Sequence, residues 1–394
     1  MMKSIECLCL LALGSNLPLL ISAQESEFSI APLCESLLPY SYDSGETHEA
    51  TSTVVSHPDA PWIQLDLTQT RLAANAKLVL RGSMATQELD AAALTLASNG
   101  YSAMFEGDSV SVEVVHYSPD GRRLGPGAKG AKRAKGAKEE GSMDGDSGKA
   151  ASRVVVSNVV VGKCEDTAKV ASICGSSDDR AASTDKRQGR IGLGGSCTAF
   201  LVSKTVFVTA GHCGDAKSNS RISFTFGARG DPVLPKDQYA VDLSTFKRGC
   251  GCSACESSCT SLDDPDFIVG RFLPNPETGL FPGDAQGMWY TISTTVPSVG
   301  NTVRITGYGT SSSSSKNLMQ QTHTGSVTEV KTKYIGYRVD SMVSLTIFVH
   351  VTIILADKIF QPHGIVHCSP HTHYTYYSQA TPAAPSSMKV RKKS

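Results

Sequence analysis

The chain contains no Asn-x-Ser/Thr sequon in its 394 residues, so no N-linked glycan is expected. Its formal net charge is zero, which removes the electrostatic footprint of a nucleic-acid binder, and no nucleic-acid partner is expected. The uncharged β-branched run at 343–355 falls short of the roughly 20 residues that a membrane-crossing helix needs, so no stable membrane span is expected. No residue pattern calls for a cofactor.

What the chain does have is cysteine, 12 residues in all. Lys3, an apolar stretch at 7–21 and the small pair Ser22-Ala23 read as a signal peptide over 1–23. Removing it takes away Cys7 and Cys9 and leaves ten cysteines, an even number that an oxidising compartment can pair. The expectation is a secreted, extracellular protein.

Three regions follow. Residues 24–120 form one unit in which 62–116 alternate apolar and polar side chains, as in Trp62-Ile63-Gln64-Leu65-Asp66-Leu67, with turn signals at Asn99-Gly100 and Glu106-Gly107-Asp108. That period of two predicts a small antiparallel β domain. Residues 121–150 carry a Gly/Ala/Lys tract at 127–138 that has no core-forming residue and reads as an open, disordered basic linker. Residues 151–342 hold the chemistry, and 343–394 form a tail.

The densest signal is at 197–213. The runs 198–202 and 205–209 are β-branched and aromatic and are split by Ser203-Lys204, the pattern of a β-hairpin. Such a hairpin brings Cys197 and Cys213 together, and a disulfide between them fixes the backbone on both sides of His212. A histidine held this way is suited to act as a general base, which has to be positioned to a fraction of an ångström. The plainer reading is a surface histidine beside a structural disulfide.

The segment Thr209-Ala210-Gly211-His212-Cys213, with its preceding Cys-Thr hairpin, resembles the histidine motif of chymotrypsin-like serine endopeptidases. Ile173-Cys174-Gly175-Ser176-Ser177-Asp178-Asp179-Arg180 and Val303-Arg304-Ile305-Thr306-Gly307-Tyr308-Gly309 are similar to segments of the glutamyl-endopeptidase-like branch. The resemblance covers 174–340, less than half of the chain. It implies an all-β fold with a double Greek-key barrel, peptide or protein substrates, and a Ser-His-Asp triad with His212 as general base. Asp266, directly before the apolar run Phe267-Ile268-Val269, resembles the family aspartate that holds the imidazole tautomer. Asp263 and Asp264 lack that run and read as loop carboxylates. By its place ahead of the peptidase region, the N-terminal domain is similar to the β-sandwich pre-domains of some exported peptidases, which leaves a propeptide, a chaperone and a binding module open.

The nucleophile is missing from the pattern. Gly145-Asp146-Ser147-Gly148 spells the peptide around a trypsin-like nucleophile, but Ser147 precedes His212, against the family order, and no strands flank it. After Asp266 no Gly-x-Ser-Gly occurs; Ser341 and Ser344 are nearest in position and lack the glycines of such a turn. The second barrel is therefore expected to be incomplete. The tail from 343 reads either as a buried or exposed β-branched strand or, because Val343-Ser344 is what an in-frame splice donor encodes, as a retained intron or frameshift.

Two metal-like groupings are set aside, and no metal site is expected. Cys250, Cys252, Cys255 and Cys259 have zinc-compatible spacing, but in an exported chain a disulfide-bonded loop is favoured. His363, His367, Cys368, His371 and His373 belong to a polar tail. Arg190-Ile191 imitates a zymogen junction but lies too close to Cys197 for a new N-terminus to thread back to a site. Processing at Lys186-Arg187 or in the linker is equally compatible with the sequence.

Overall fold

The computed structural model describes residues 35–118, 121–123, 151–162, 178–193, 197–213, 217–225, 233–250, 266–293, 295–309, 311, 316–317, 319–330, 334–340, 353–355, 358–360 and 363–366. The basic tract at 127–138, Ser147, Asp263, Asp264, Cys252, Cys255, Cys259, Ser341 and Ser344 lie outside the described residues, as does the stretch 1–23 expected to be a signal peptide.

Eight strands build the N-terminal unit: β1 (Glu35–Asp43), β2 (Thr51–Ser56), β3 (Trp62–Asp66), β4 (Ala76–Arg81), β5 (Thr86–Leu89), β6 (Phe105–Glu106), β7 (Ser109–His116) and β8 (Val155–Gly162). They form two four-stranded sheets with orders β1-β8-β3-β6 and β2-β7-β4-β5. In β7, Val110, Val112 and Val114 point into the core between the sheets, with Leu78 and Leu80 of β4 and Ile63 and Leu65 of β3, so the period of two is the pleat of the strand.

Here the structure redraws one boundary. Residues 155–162, assigned from sequence to the peptidase region beyond the linker, are an inner strand of the N-terminal sheet. β8 pairs antiparallel with β1, from Glu35↔Gly162 to Asp43↔Val155, and with β3, from Ile63↔Val161 to Asp66↔Asn158. The basic tract thus joins two strands of one sandwich and does not separate two domains.

After β9 (Ala181–Ala182) come β10 (Gln188–Ile191), β11 (Thr198–Leu201), β12 (Val206–Thr209), β13 (Arg221–Ser223), β14 (Gln238–Cys250) and β15 (Asp266–Phe272). These last six close a barrel in the order β10-β11-β12-β15-β14-β13. Three strands in sequence followed by the next three in reverse is a Greek-key arrangement. Its interior is aromatic: Phe207, Phe224, Tyr239 and Phe272 pack as tilted and edge-on rings with centroids 4.9–6.0 Å apart, the geometry that the ring quadrupoles favour. A bulge between Asp242 and Lys247 lets β14 bend over β15.

The remaining strands are β16 (Thr291–Ile292), β17 (Thr302–Gly307), β18 (Gln321–Val330), β19 (Tyr334–Tyr337), β20 (Ile353–Leu355), β21 (Lys358–Phe360) and β22 (His363–Val366). Among the described residues they form an open sheet, β16-β21-β20-β17-β18-β19-β22, with β9 also pairing β18. Among the described residues these strands do not close into a second barrel. The tail is less separate than its sequence suggests: the backbone of β20 pairs with β17 and that of β22 runs parallel to β19.

The closed barrel and the open sheet are tied by a buried polar network. Tyr290 donates from its hydroxyl to Asp185 Oδ2 at 2.7 Å and accepts from Gln188 Nε2 at 2.8 Å, and the Arg187 guanidinium stacks 4.1 Å over its ring. Gln320, ahead of β18, donates to Asp185 O and Tyr308 Oη and accepts from Asp185 N–H. Burial works to raise the pKa of the Asp185 carboxyl, but the Arg187 and Tyr290 donors outweigh it and hold that pKa low.

Candidate active site

His212 occupies a single 3-10 turn, Gly211–Cys213, directly after β12. Three ties hold that turn. The Cys197–Cys213 disulfide joins it to the start of β11 across a Cα separation of 6.0 Å. Cys213 N–H donates to Ala210 O at 3.2 Å, and Arg248 Nε of β14 donates to Gly211 O at 2.9 Å.

Asp266 begins β15, where it faces Cys250 in the β14 register. Thr209 of β12 pairs with Ile268 of β15. His212 follows Thr209 by three residues and Asp266 precedes Ile268 by two. Because the strands are antiparallel, both residues leave the pair at the same end. The backbone therefore brings together the histidine turn and the acidic strand start, which lie more than fifty residues apart in sequence. The side chains of His212 and Asp266 are outside the described set.

The disulfide closes a loop of sequence separation 16, and the restriction it places on the unfolded chain contributes about 3 kcal/mol. Replacing Cys197 and Cys213 together with serine is expected to lower the unfolding free energy by that amount in non-reducing buffer. Under strong reductant the difference from the parent chain should shrink towards zero. An equal loss in both buffers would locate the effect in packing.

A second cluster went unrecognised in the sequence, although its members lie within the stretch 174–340 that the family resemblance covers. His323 Nε2 lies 3.3 Å from Asp179 Oδ1, and Asp340 N–H donates to His323 Nδ1 at 2.7 Å. Asp179 N–H in turn reaches Asp340 Oδ2 at 3.4 Å. With Nδ1 accepting a backbone proton, the neutral ring carries its own proton on Nε2, facing Asp179. Both ring nitrogens are then committed to protein partners, and a metal would have to break one of these bonds to gain a ligand. The arrangement instead pins residue 340, the last described position before the expected nucleophile region, to the segment entering the first barrel and to β18. Asp178 reinforces the same entry by a bidentate pair with the buried Arg180, at 2.7 and 2.8 Å. The spacing signal for this cluster was nil, because its three parts are distant in sequence.

No family model matches the chain, and no curated protein matches it. Among solved structures it is similar to a Glu endopeptidase in complex with MPD, at 19% identity over 48% of this chain and 85% of that one, with a TM-score of 0.35. It is also similar to neuropsin, a serine protease of mouse brain, at 13% identity over 46% and 83% of the two chains, TM-score 0.32. Kallikrein-related peptidase 10 stands at 14% identity over 50% and 92%, TM-score 0.33. Strand order makes the architectural statement without them: the described residues are all-β, and their closed six-stranded barrel is a Greek key that carries the histidine turn and the acidic strand start at one end.

Proposed function

We propose that this protein is an exported relative of the chymotrypsin-like serine endopeptidases that binds peptide segments and, as this sequence stands, does not hydrolyse them. The observation that carries the reading is the convergence of the Gly211–Cys213 turn and the Asp266 strand start at one end of the barrel. In the family this chain resembles, that position belongs to the general-base histidine and to the aspartate that accepts its ring N–H, parts that would fall to His212 and Asp266. The disulfide fits an oxidising compartment and supports export.

Acyl transfer needs a serine at the apex of a glycine-flanked turn, so that backbone N–H groups adjoin the attacking oxygen. No Gly-x-Ser-Gly follows Asp266 in this chain. His212 therefore has no serine to deprotonate, which leaves binding as the activity proposed for this end of the barrel. A related reading, favoured by the same gap, is that an alternatively spliced message restores the enzyme.

A fluorophosphonate probe tests the proposal directly. The secreted protein of this sequence is expected to remain unlabelled under conditions that label trypsin fully; a stoichiometric adduct on any serine would overturn it. Sequencing transcript across the codons for 340–355 is the companion measurement. A message with Gly-x-Ser-Gly after Asp340 would assign peptidase activity to that isoform alone.

A further inference from the structure

We infer that the N-terminal sandwich is a permanent buttress of the first barrel and neither a detachable propeptide nor a plug for the cleft. The inference is independent of whether the site hydrolyses anything.

The first observation is the position of β8. Its Val156, Val159 and Val161 are buried in the sandwich core, while Val160 on the opposite face is buried with Trp62, Met104, Leu193 and Val233. Leu193 and Val233 belong to the barrel region, so the β1-β8-β3-β6 sheet is a middle layer with the sandwich core on one side and the barrel on the other. This is why all five residues of β3 are buried: Ile63 and Leu65 face inward, and Trp62 and Gln64 face the barrel. β8 and the residue pair that leads into it are woven in by further bonds. Arg153 and Arg71 exchange backbone hydrogen bonds, Thr70 Oγ1 both donates to Val155 O and accepts its N–H, and Asn158 Nδ2 donates to Asp66 Oδ2 at 2.7 Å.

The second observation is the polarity of the contact. Gln238 of the barrel makes a reciprocal pair with the Met104 backbone, its Oε1 accepting Met104 N–H at 2.8 Å and its Nε2 donating to Met104 O at 2.9 Å. Arg221, fully buried, donates to Ser98 O and Tyr101 O, each at 2.8 Å, and Gln64 Nε2 donates to Asn219 O at 3.1 Å. Buried polar groups matched across a boundary in this way mark a contact built to the complementarity of a protein interior, with Arg221, Gln238 and Gln64 each bonded on both sides of it or along it.

The third observation is where the contact lies. Gln238 opens β14, and Phe272, which pairs near that end with Val241, closes β15. Cys250 and Asp266 pair at the other end of the same ladder, beside the His212 turn. Among the described residues, the sandwich therefore docks at the far end of the β14–β15 pair from the candidate site.

A cut between β7 and β8 should consequently produce two pieces that remain one particle, because the C-terminal piece supplies an inner strand of the N-terminal sheet. The experiment inserts a site-specific protease sequence within 127–138 of the full chain, cuts it to completion and runs gel filtration in native buffer. Both pieces are expected to co-elute at the volume of the intact chain and to separate only in denaturant. An N-terminal piece eluting alone beside a monodisperse barrel piece would overturn the inference. On the unaltered chain, amide exchange at Val159, Val160 and Val161 should be as slow as at Ile63 and Leu65; exchange faster by two orders of magnitude or more would overturn it equally.

Discussion

Replacing Gly325 with alanine is expected to destabilise the protein by about 3 kcal/mol or more, at the upper end of what overpacking usually costs. A Cβ at this position in β18 would sit 1.6 Å from Arg338 O and 2.6 Å from Arg338 C. Those are backbone atoms and cannot rotate away. Arg338 N–H is also committed to Ser326 O at 2.9 Å, so the two segments can separate only by giving up that bond and the neighbouring one from Asp340 N–H to His323 Nδ1. Gly336 is the control. There the nearest atom is Thr328 Oγ1 at 3.1 Å, the tip of a side chain that can turn. Gly336→Ala should therefore cost well under half as much. Urea unfolding of the two variants beside the parent gives the comparison, and equal losses would mean that the close approach at 325 is not what holds these segments together.

Arg221→Met is expected to lose about 4 kcal/mol although methionine fills much of the same space. Arg221 donates to four backbone carbonyls, those of Ser98, Tyr101, Ser218 and Ser220. A thioether supplies no donor, and each carbonyl left buried without one costs about 1–3 kcal/mol, partly recovered by relaxation. Burial pushes the pKa of Arg221 down to about 9, so at neutral pH the guanidinium is still charged and the carbonyls serve as its solvation shell. Arg221→Lys should recover only part of the loss, because an ammonium lacks the planar fork that reaches both strands. Thermal unfolding of the two variants checks this. If the methionine variant matched the parent, the guanidinium would be a passenger at the contact between sandwich and barrel.

What could be read from the sequence was local. The hairpin at 198–209 and its disulfide follow from two apolar runs around a polar pair, and the strand beginning at Asp266 follows from a carboxylate ahead of Phe267-Ile268-Val269. Each signal lies within a dozen or so residues. The period of two in 62–116 likewise comes from pleated strands with one face on a core.

What could not be read is what distance in the chain conceals. Residues 154–161 are a run of valines broken only by Ser157 and Asn158, a pattern that a strand buried on both faces produces in any sheet, so nothing local says which sheet it joins. The intervening composition made a domain boundary look natural. Arg221 reads as one more surface cation until the sandwich covers it. The Asp179, His323 and Asp340 cluster needs three distant pieces, and no periodicity reports their meeting.

The inner position of β8 also orders events while the chain is being made. β1 and β8 are on the order of a hundred residues apart, and closing a loop of that size carries an entropic cost of roughly 4 kcal/mol before any contact repays it. The first sheet cannot be finished until 155–162 has left the ribosome, so β1 and β3 wait with their pairing edges open through the synthesis of the whole basic tract. When β8 arrives, the residues that follow it are the beginning of the barrel. Only with β8 in place does the finished sheet present the face, with Trp62 and Gln64, that meets the barrel.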